Sequence, residues 1–354
     1  MKLIIIYILL SFGLSVDKNG TTSATFLEID IGGEITCMGG AGVSHVDDAS
    51  STYWNPAGLA FSKKNQLFFM NQSWIAGIQH SYSSVSVPIN RLGTIGLSIN
   101  LMNYGETEVT SLDFQDGTGD YYSALDYSVS FSYARKFVNW FGFGTSIKYI
   151  GSKIWHTSAS AFAMDLGAQI YTDFLSSKKG KHDGLKIGMS ISNYGTKIKY
   201  DGLDLIQPID PSDDYGNYGD VMGKYETSSW ELPLIFRLGL SNDFIKSKYS
   251  SLIIAFDAIH PNNDKERFNI GIKYSRINSQ LFNYYVGAGY KGIHMKIREK
   301  NEKIKIQFSS EFGPSFGAGM SLPIQNKLNL KFDYTVRFVG VFGIMKLATL
   351  SLEF

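Results

Sequence analysis

Six aspartates crowd one stretch of this 354-residue chain: Asp201, Asp204, Asp210, Asp213, Asp214 and Asp220. Hard carboxylate oxygens suit Ca²⁺, so the first five form a calcium candidate, although their spacing matches no EF-hand. A solvated acidic loop accounts for them more cheaply. The interspersed Leu203, Leu205, Ile206, Pro208 and Ile209 are odd for a segment wholly in water. They imply a loop that folds over something or meets a protein partner. Two other pairings invite a hydrolase reading: His80 beside Ser81, and His156 upstream of Asp165. Catalysis needs nucleophile and base within hydrogen-bond reach, whereas neighbours in an extended strand point to opposite faces. Met38-Gly39-Gly40-Ala41-Gly42 lacks the strand–helix context and the Lys of a phosphate loop. The expectation is a non-enzymatic chain with no cofactor. The lone Cys37 excludes a disulfide framework and is expected to be a small buried side chain. With 33 basic against 32 acidic residues, no strong overall field draws in nucleic acid.

The elements that must carry these residues are strands. From 121 to 134, Leu125, Tyr127, Val129, Phe131 and Tyr133 alternate with Asp126, Ser128, Ser130, Ser132 and Ala134, a period of two. The same alternation recurs along the chain, with starts near Gln66, Ile78, Gly93, Tyr122, Phe141, Ala161, Leu185, Trp230, Leu252, Arg267, Phe282, Lys303, Leu328 and Leu347. That gives about fourteen strands of about 9 to 16 residues, long enough to cross a bilayer when tilted. No apolar run reaches the ~18 residues of a spanning helix. The connections sort by parity. Gaps near 90–91, 138–139, 245–249, 278–279 and 325–326 are short, while 105–120, 196–229 and 291–302 are long, with 176–183 a mild exception. Such sorting belongs to an up-and-down membrane barrel. Asp126, Lys148, Asp165, Asp257, Lys273, Lys331, Asp333 and Glu353 fall on the polar face. In lipid a basic group would cost about 2–4 kcal/mol near the midplane, so that face is expected to line a lumen. The fold class is all-β: a single transmembrane antiparallel β-barrel.

Met1 and Lys2, then an apolar run to Leu10 and small residues to Ser15, match a secretory signal. The chain divides into 1–15 as signal, 16–64 as an N-terminal segment and 65–354 as barrel. Both termini are expected on the periplasmic side of the outer membrane. The segment contains Met38, Gly39, Gly40, Gly42, Asp47, Asp48, Asn55, Pro56, Ala57 and Gly58. It is too irregular for a lipid-facing strand and too apolar for a free linker, and fourteen strands leave a lumen wider than wall side chains can fill. The economical place for it is inside, as a plug, with one short helical turn near 48–52 ended by Pro56. Leu350, Leu352 and Phe354 share one face at the end of the chain and resemble the strand signal by which outer-membrane barrels are recognised for insertion.

Several of these motifs carry a family resemblance. Met38-Gly-Gly-Ala-Gly, Asp47-Asp-Ala-Ser, Tyr53-Trp-Asn-Pro-Ala-Gly-Leu59, Asn103-Tyr-Gly-Glu106, Gly188-Met-Ser-Ile-Ser-Asn193 and Ala258-Ile-His-Pro-Asn262 look like the PorV/PorQ family of outer-membrane proteins. More distantly, Asn55-Pro56-Ala57 is similar to the hatch motif of FadL-type fatty-acid transporters. The resemblance implies a FadL-like barrel whose outer loops act with type IX-like secretion machinery or secreted cargo. The alternative it implies is a transporter of hydrophobic small molecules. Positions 291–309 depart from the family as an apparent insertion in the eleventh loop and twelfth strand.

Overall fold

The computed structural model describes residues 20–176, 182–209, 221–276, 282–300, 303–310, 312–325 and 328–354. Fourteen strands form the wall: β1 (Gln66–Ser73), β2 (Gln79–Ile89), β3 (Gly93–Glu108), β4 (Tyr121–Val138), β5 (Phe141–Ile154), β6 (Thr157–Tyr171) and β7 (Lys186–Gly195) make the first half. β8 (Ile235–Lys246), β9 (Ser250–Pro261), β10 (Arg267–Arg276), β11 (Asn283–Lys300), β12 (Pro314–Gln325), β13 (Leu328–Phe338) and β14 (Ile344–Glu353) make the second. Each pairs antiparallel with its chain neighbours, and β14 pairs with β1, Glu353 opposite Gln66. The ring is closed, which leaves no edge unpaired in lipid.

Alternation sets the two faces. In β4, Ser128, Ser130, Ser132 and Ala134 are buried inward, while Val129, Phe131 and Tyr133 are exposed outward. Across the wall Leu97, Ile147, Phe162, Leu240, Ile272, Phe316, Phe332 and Leu350 face out. This is the arrangement lipid requires. At the end carrying Gln66 and Glu353, the turn end, β2–β3, β4–β5 and β8–β9 join within a few residues. At the opposite loop end lie the long connections 109–120 and 196–234. The exceptions are 172–185, long at the turn end, and Trp155-His156, a two-residue link at the loop end.

The twelfth strand differs from expectation. Lys303–Ser310 is not in the wall: it pairs with the outer half of β11, Lys300 opposite Lys303 and Ile293 opposite Ser310. The wall position belongs to Pro314–Gln325, which pairs with the inner half of β11, Tyr290 opposite Pro314. β11 is eighteen residues long and overshoots the wall, so its outer peptide groups need a private partner. Lys303–Phe308 alternates as regularly as a wall strand does, and periodicity cannot separate the two. The 291–309 insertion is thus a hairpin standing on the loop end.

Residues 20–61 contain only short turns: Thr25–Glu28, Gly33–Cys37, Ser51–Trp54 and Pro56–Phe61. The helical turn lies three residues later than expected. Asn55, extended at φ −163°, ends it ahead of Pro56 and caps the next turn through Oδ1, which accepts the Ala57 N–H at 3.1 Å. The described chain begins at the loop end, where the Ser23 N–H donates to the Glu231 carbonyl at 3.0 Å. It reaches the wall at the turn end, where Asn65 and Phe354 exchange backbone bonds of 3.1 and 3.0 Å.

Candidate functional site

The contacts between this N-terminal segment and the inner wall are built from charge. Asp30 bonds Arg337 of β13 at 2.6 Å and Lys291 of β11 at 2.8 Å. Arg337 also donates to the Thr36 carbonyl at 2.9 Å. All three charged side chains are at most 7% exposed. Burial alone would raise the Asp30 pKa; Lys291 and Arg337 outweigh it and hold the group down at about 2. Glu34 bridges Lys273 of β10 and Lys331 of β13, and Glu28 faces Arg267 at 3.4 Å. In each case the segment brings the carboxylate and the wall the cation. The polarity reverses once, where the wall's Asp257 accepts the Gly42 and Val43 N–H groups at 2.9 and 3.1 Å.

The motif residues sit where segment backbone meets wall backbone. Gly39 has φ +70°, and its N–H donates to Ser315 Oγ at 3.1 Å. A Cβ there would lie 2.7 Å from the Tyr290 backbone nitrogen. Met38 rests on Gly271 and Gly289, Gly42 is followed by Val43 resting on Gly188, and Pro56-Ala57 lie on Gly144 and Gly167. Any side chain at those wall positions would strike the segment. Asn55 Nδ2 donates to the Val43 and Ala168 carbonyls at 2.8 and 3.1 Å. Gly58 packs against the Val46 carbonyl and Ser51, where a Cβ would clash. Gly40 faces Asp30 and Asn269. Cys37 is fully buried, and burial pushes its thiol up to about 12.

Asp47 and Asp48 come to the turn end on a cavity of about 420 Å³ that Glu34, Lys186, Lys273 and Lys331 also line. Asp47 is exposed there, while Asp48 accepts the Ser50 N–H at 2.9 Å. His45 lies on the same cavity wall, 7% exposed, with neither ring nitrogen hydrogen-bonded to a described residue. Burial drives its pKa down to about 3.

The catalytic pairings do not assemble. His80 is fully buried between Gln72 and Asn100, 2.6 Å from each, and Ser81 lies on the other face. His156 bonds Asp204 at 3.0 Å, whereas Asp165 bonds Lys148 at 2.6 Å. The two described members of the calcium candidate bond separate partners, Asp204 with His156 and Asp201 with Lys224. Those partners lower both carboxyl pKa values. Asp210, Asp213 and Asp214 lie outside the described residues. The apolar residues nearby are open: Ile206–Ile209 pairs with Val221–Lys224, and Leu203, Val221, Met222 and Tyr225 are exposed, as is Leu112 in the other long loop. Leu350 and Phe354 are exposed on the outward face, with Leu352 half-buried between them.

Sequence reasoning found the wall charges Asp257, Lys273, Lys331 and Asp333. It missed Asp30 and Glu34, and the buried cations Lys291 and Arg337. It also missed the wall glycines, whose readable signal is the alternate spacing of Gly142 with Gly144 and Gly287 with Gly289.

Comparison with known proteins adds a family and a fold. A family model described as "Type IX secretion system protein PorV" matches residues 15–209. No curated protein matches the chain. Among solved structures, the toluene transporter TbuX of Ralstonia pickettii superposes with a TM-score of 0.53 at 11% identity, covering 91% of this chain and 97% of that one. The toluene transporter TodX of P. putida gives 0.53 at 11%, covering 91% and 96%. A TodX deltaS2S3 mutant, titled a monoaromatic hydrocarbon channel, gives 0.56 at 11%, covering 91% and 98%. At such identity the structural matches speak for the barrel and its strand order alone.

Proposed function

Because the matched region exceeds half its length, the chain belongs to the family of the type IX secretion system protein PorV, and from that premise we propose a non-enzymatic interaction role in protein secretion. The barrel and the family together indicate an outer-membrane protein. In this reading residues 1–15 are a cleaved signal, the turn end faces the periplasm and the loop end faces outward. Residues 16–64 act as the plug, with the motif residues Met38 to Gly58 as its seating elements. The loops at the outer end bind secretion machinery or secreted cargo. Leu350, Leu352 and Phe354 serve as the insertion signal.

One observation carries this reading over passage of a solute: the segment is tied to opposite sides of the wall, Asp30 to β11 and β13 by buried ion pairs and the Val43 carbonyl to Gln169 of β6 by a hydrogen bond. A hydrophobic solute needs a continuous apolar path between hatch and wall. The cavity beside the segment interrupts any such path with Glu34, Asp47, Asp48, Lys186, Lys273 and Lys331, set among apolar residues such as Ile35 and Phe68. The exposed Leu203, Val221 and Met222 give the loop end an apolar surface of the kind partners cover. The test is purification from native membranes. Secretion components should accompany the wild-type protein and be lost from Leu203→Asp/Met222→Asp. Uptake of toluene or fatty acid by vesicles containing the pure protein, with no associated protein in the purification, would establish the transport reading in its place.

A further inference from the structure

The turn-end mouth holds a second feature, of one charge sign. Between the exit of the N-terminal segment and the β2–β3 turn lies a groove of about 660 Å³. Lys63, Lys64, Arg91, Arg135 and Lys136 line it, and no Asp or Glu does. Lys64 reaches Glu353 at 3.6 Å. Among the described residues the other four cations have no carboxylate side chain within ion-pair distance. The carboxyl group of Phe354 also borders the groove, which still leaves a surplus of positive charge. Arg91 stands at the turn tip with φ +65°, a conformation that Gly or Asn would adopt more cheaply. The turn therefore accepts strain to carry a guanidinium there.

Immediately beside the cations the outward wall is apolar. On the outward face, Tyr133 and Phe131 of β4 lie exposed on the membrane side of Arg135, Phe143 of β5 is exposed opposite Arg135, and the Tyr133 hydroxyl donates to the Leu92 carbonyl at 2.5 Å. Cations at the rim with an aromatic belt beneath match an amphiphile: phosphate above, acyl chains below. Free phosphate or an acidic peptide would use the cations and leave the belt idle. We propose that this groove binds the headgroup of an anionic phospholipid from the leaflet at the turn end. Arg91, Arg135 and Lys136 hold the phosphate, and Phe131, Tyr133 and Phe143 carry the chains. The inference needs the barrel to sit in a membrane and is independent of the secretion role.

Native mass spectrometry of the full-length protein tests it, with phosphatidylglycerol, phosphatidylcholine, inorganic phosphate and a polyglutamate peptide as probes. Each cation near an anionic headgroup contributes a factor of about five at low salt. Phosphatidylglycerol should therefore be retained at least about tenfold over phosphatidylcholine after screening. Arg91→Gln/Arg135→Gln/Lys136→Gln should abolish that preference, while Lys153→Gln/Lys346→Gln at the loop end should preserve it. Should the triple variant fail to fold, Arg91→Gly, which suits the backbone there, should still weaken the preference about fivefold. A preference that survives these rim substitutions overturns the proposal. So does displacement of the lipid by millimolar inorganic phosphate, which marks a free-anion site, or by polyglutamate, which marks a protein-binding rim.

Discussion

Asp30→Asn isolates the charge cluster that ties the N-terminal segment to the wall. The substitution keeps the shape and removes the charge, leaving Arg337 and Lys291, 2% and 7% exposed, without their shared counter-ion. Stripping one partner from a buried pair costs about 3–5 kcal/mol. Asn can still accept one hydrogen bond, so the lower end applies, and ~3 kcal/mol is roughly two orders of magnitude in an equilibrium constant. The chain supplies its own reporter. Cys37 is the only cysteine and is completely buried seven residues further on, so it reacts with a maleimide only when the segment leaves the wall. Its labelling rate in the folded protein should rise about a hundredfold in Asp30→Asn. The barrel's resistance to unfolding in detergent should change little. Labelling of Asp30→Asn within about threefold of wild type, with both barrels intact, would refute the reasoning and place the holding energy elsewhere.

Three further perturbations use the same reporter. Gly39→Ala imposes a left-handed residue, costing about 1–2 kcal/mol, and drives Cβ to 2.7 Å from the Tyr290 backbone nitrogen. Cys37 labelling should rise at least tenfold, and an unchanged rate would mean that the segment does not approach β11 so closely. Asn55→Ala removes the cap on Ala57 and the donors to Val43 and Ala168. Val43 keeps Gln169 at 3.2 Å, so the cost is about 1–2 kcal/mol, read as a smaller rise in labelling and a lower melting temperature. For pH, the folded His45 value of about 3 lies below its ordinary 6.5. The neutral ring is favoured inside, so its stabilisation is complete above about pH 6.5 and is lost as pH falls from there towards 3. Asp30, held at about 2 against 3.8, keeps its contribution down to about pH 4 and loses it below. Labelling normalised to the unfolded chain should therefore climb more steeply below about pH 6.5 in wild type than in His45→Asn, and the difference between the two should vanish above that pH.

The wall was legible because lipid and lumen impose opposite demands on alternate residues, as the Ser128–Ala134 stretch of β4 displays. The end of the chain was legible for the same reason, with Leu350 and Phe354 facing out. Lys303–Ser310 misled because a hairpin standing beyond a membrane alternates for reasons of its own, and no local signal says which neighbour it joins. The segment's irregular, glycine-rich composition pointed inward. Its charged ties stayed hidden because Asp30 and Glu34 are single acids whose partners lie more than two hundred residues away. Such pairing is a property of the closed ring, and it appears only when β10, β11 and β13 are brought around the segment.

The path of residues 20–65 bears on how the molecule is made. The chain enters at the Glu231 side of the bore and leaves beside Phe354 at the other, with Trp54 and Ile31 fully enclosed on the way. A finished cylinder offers no route for threading so bulky a strand of turns. The early-synthesised residues must therefore already occupy the axis when the final seam, Gln66 against Glu353, is stitched. On the plug reading proposed above they would serve as a mandrel on which the hoops are wound, and a chain that closed first would be left hollow.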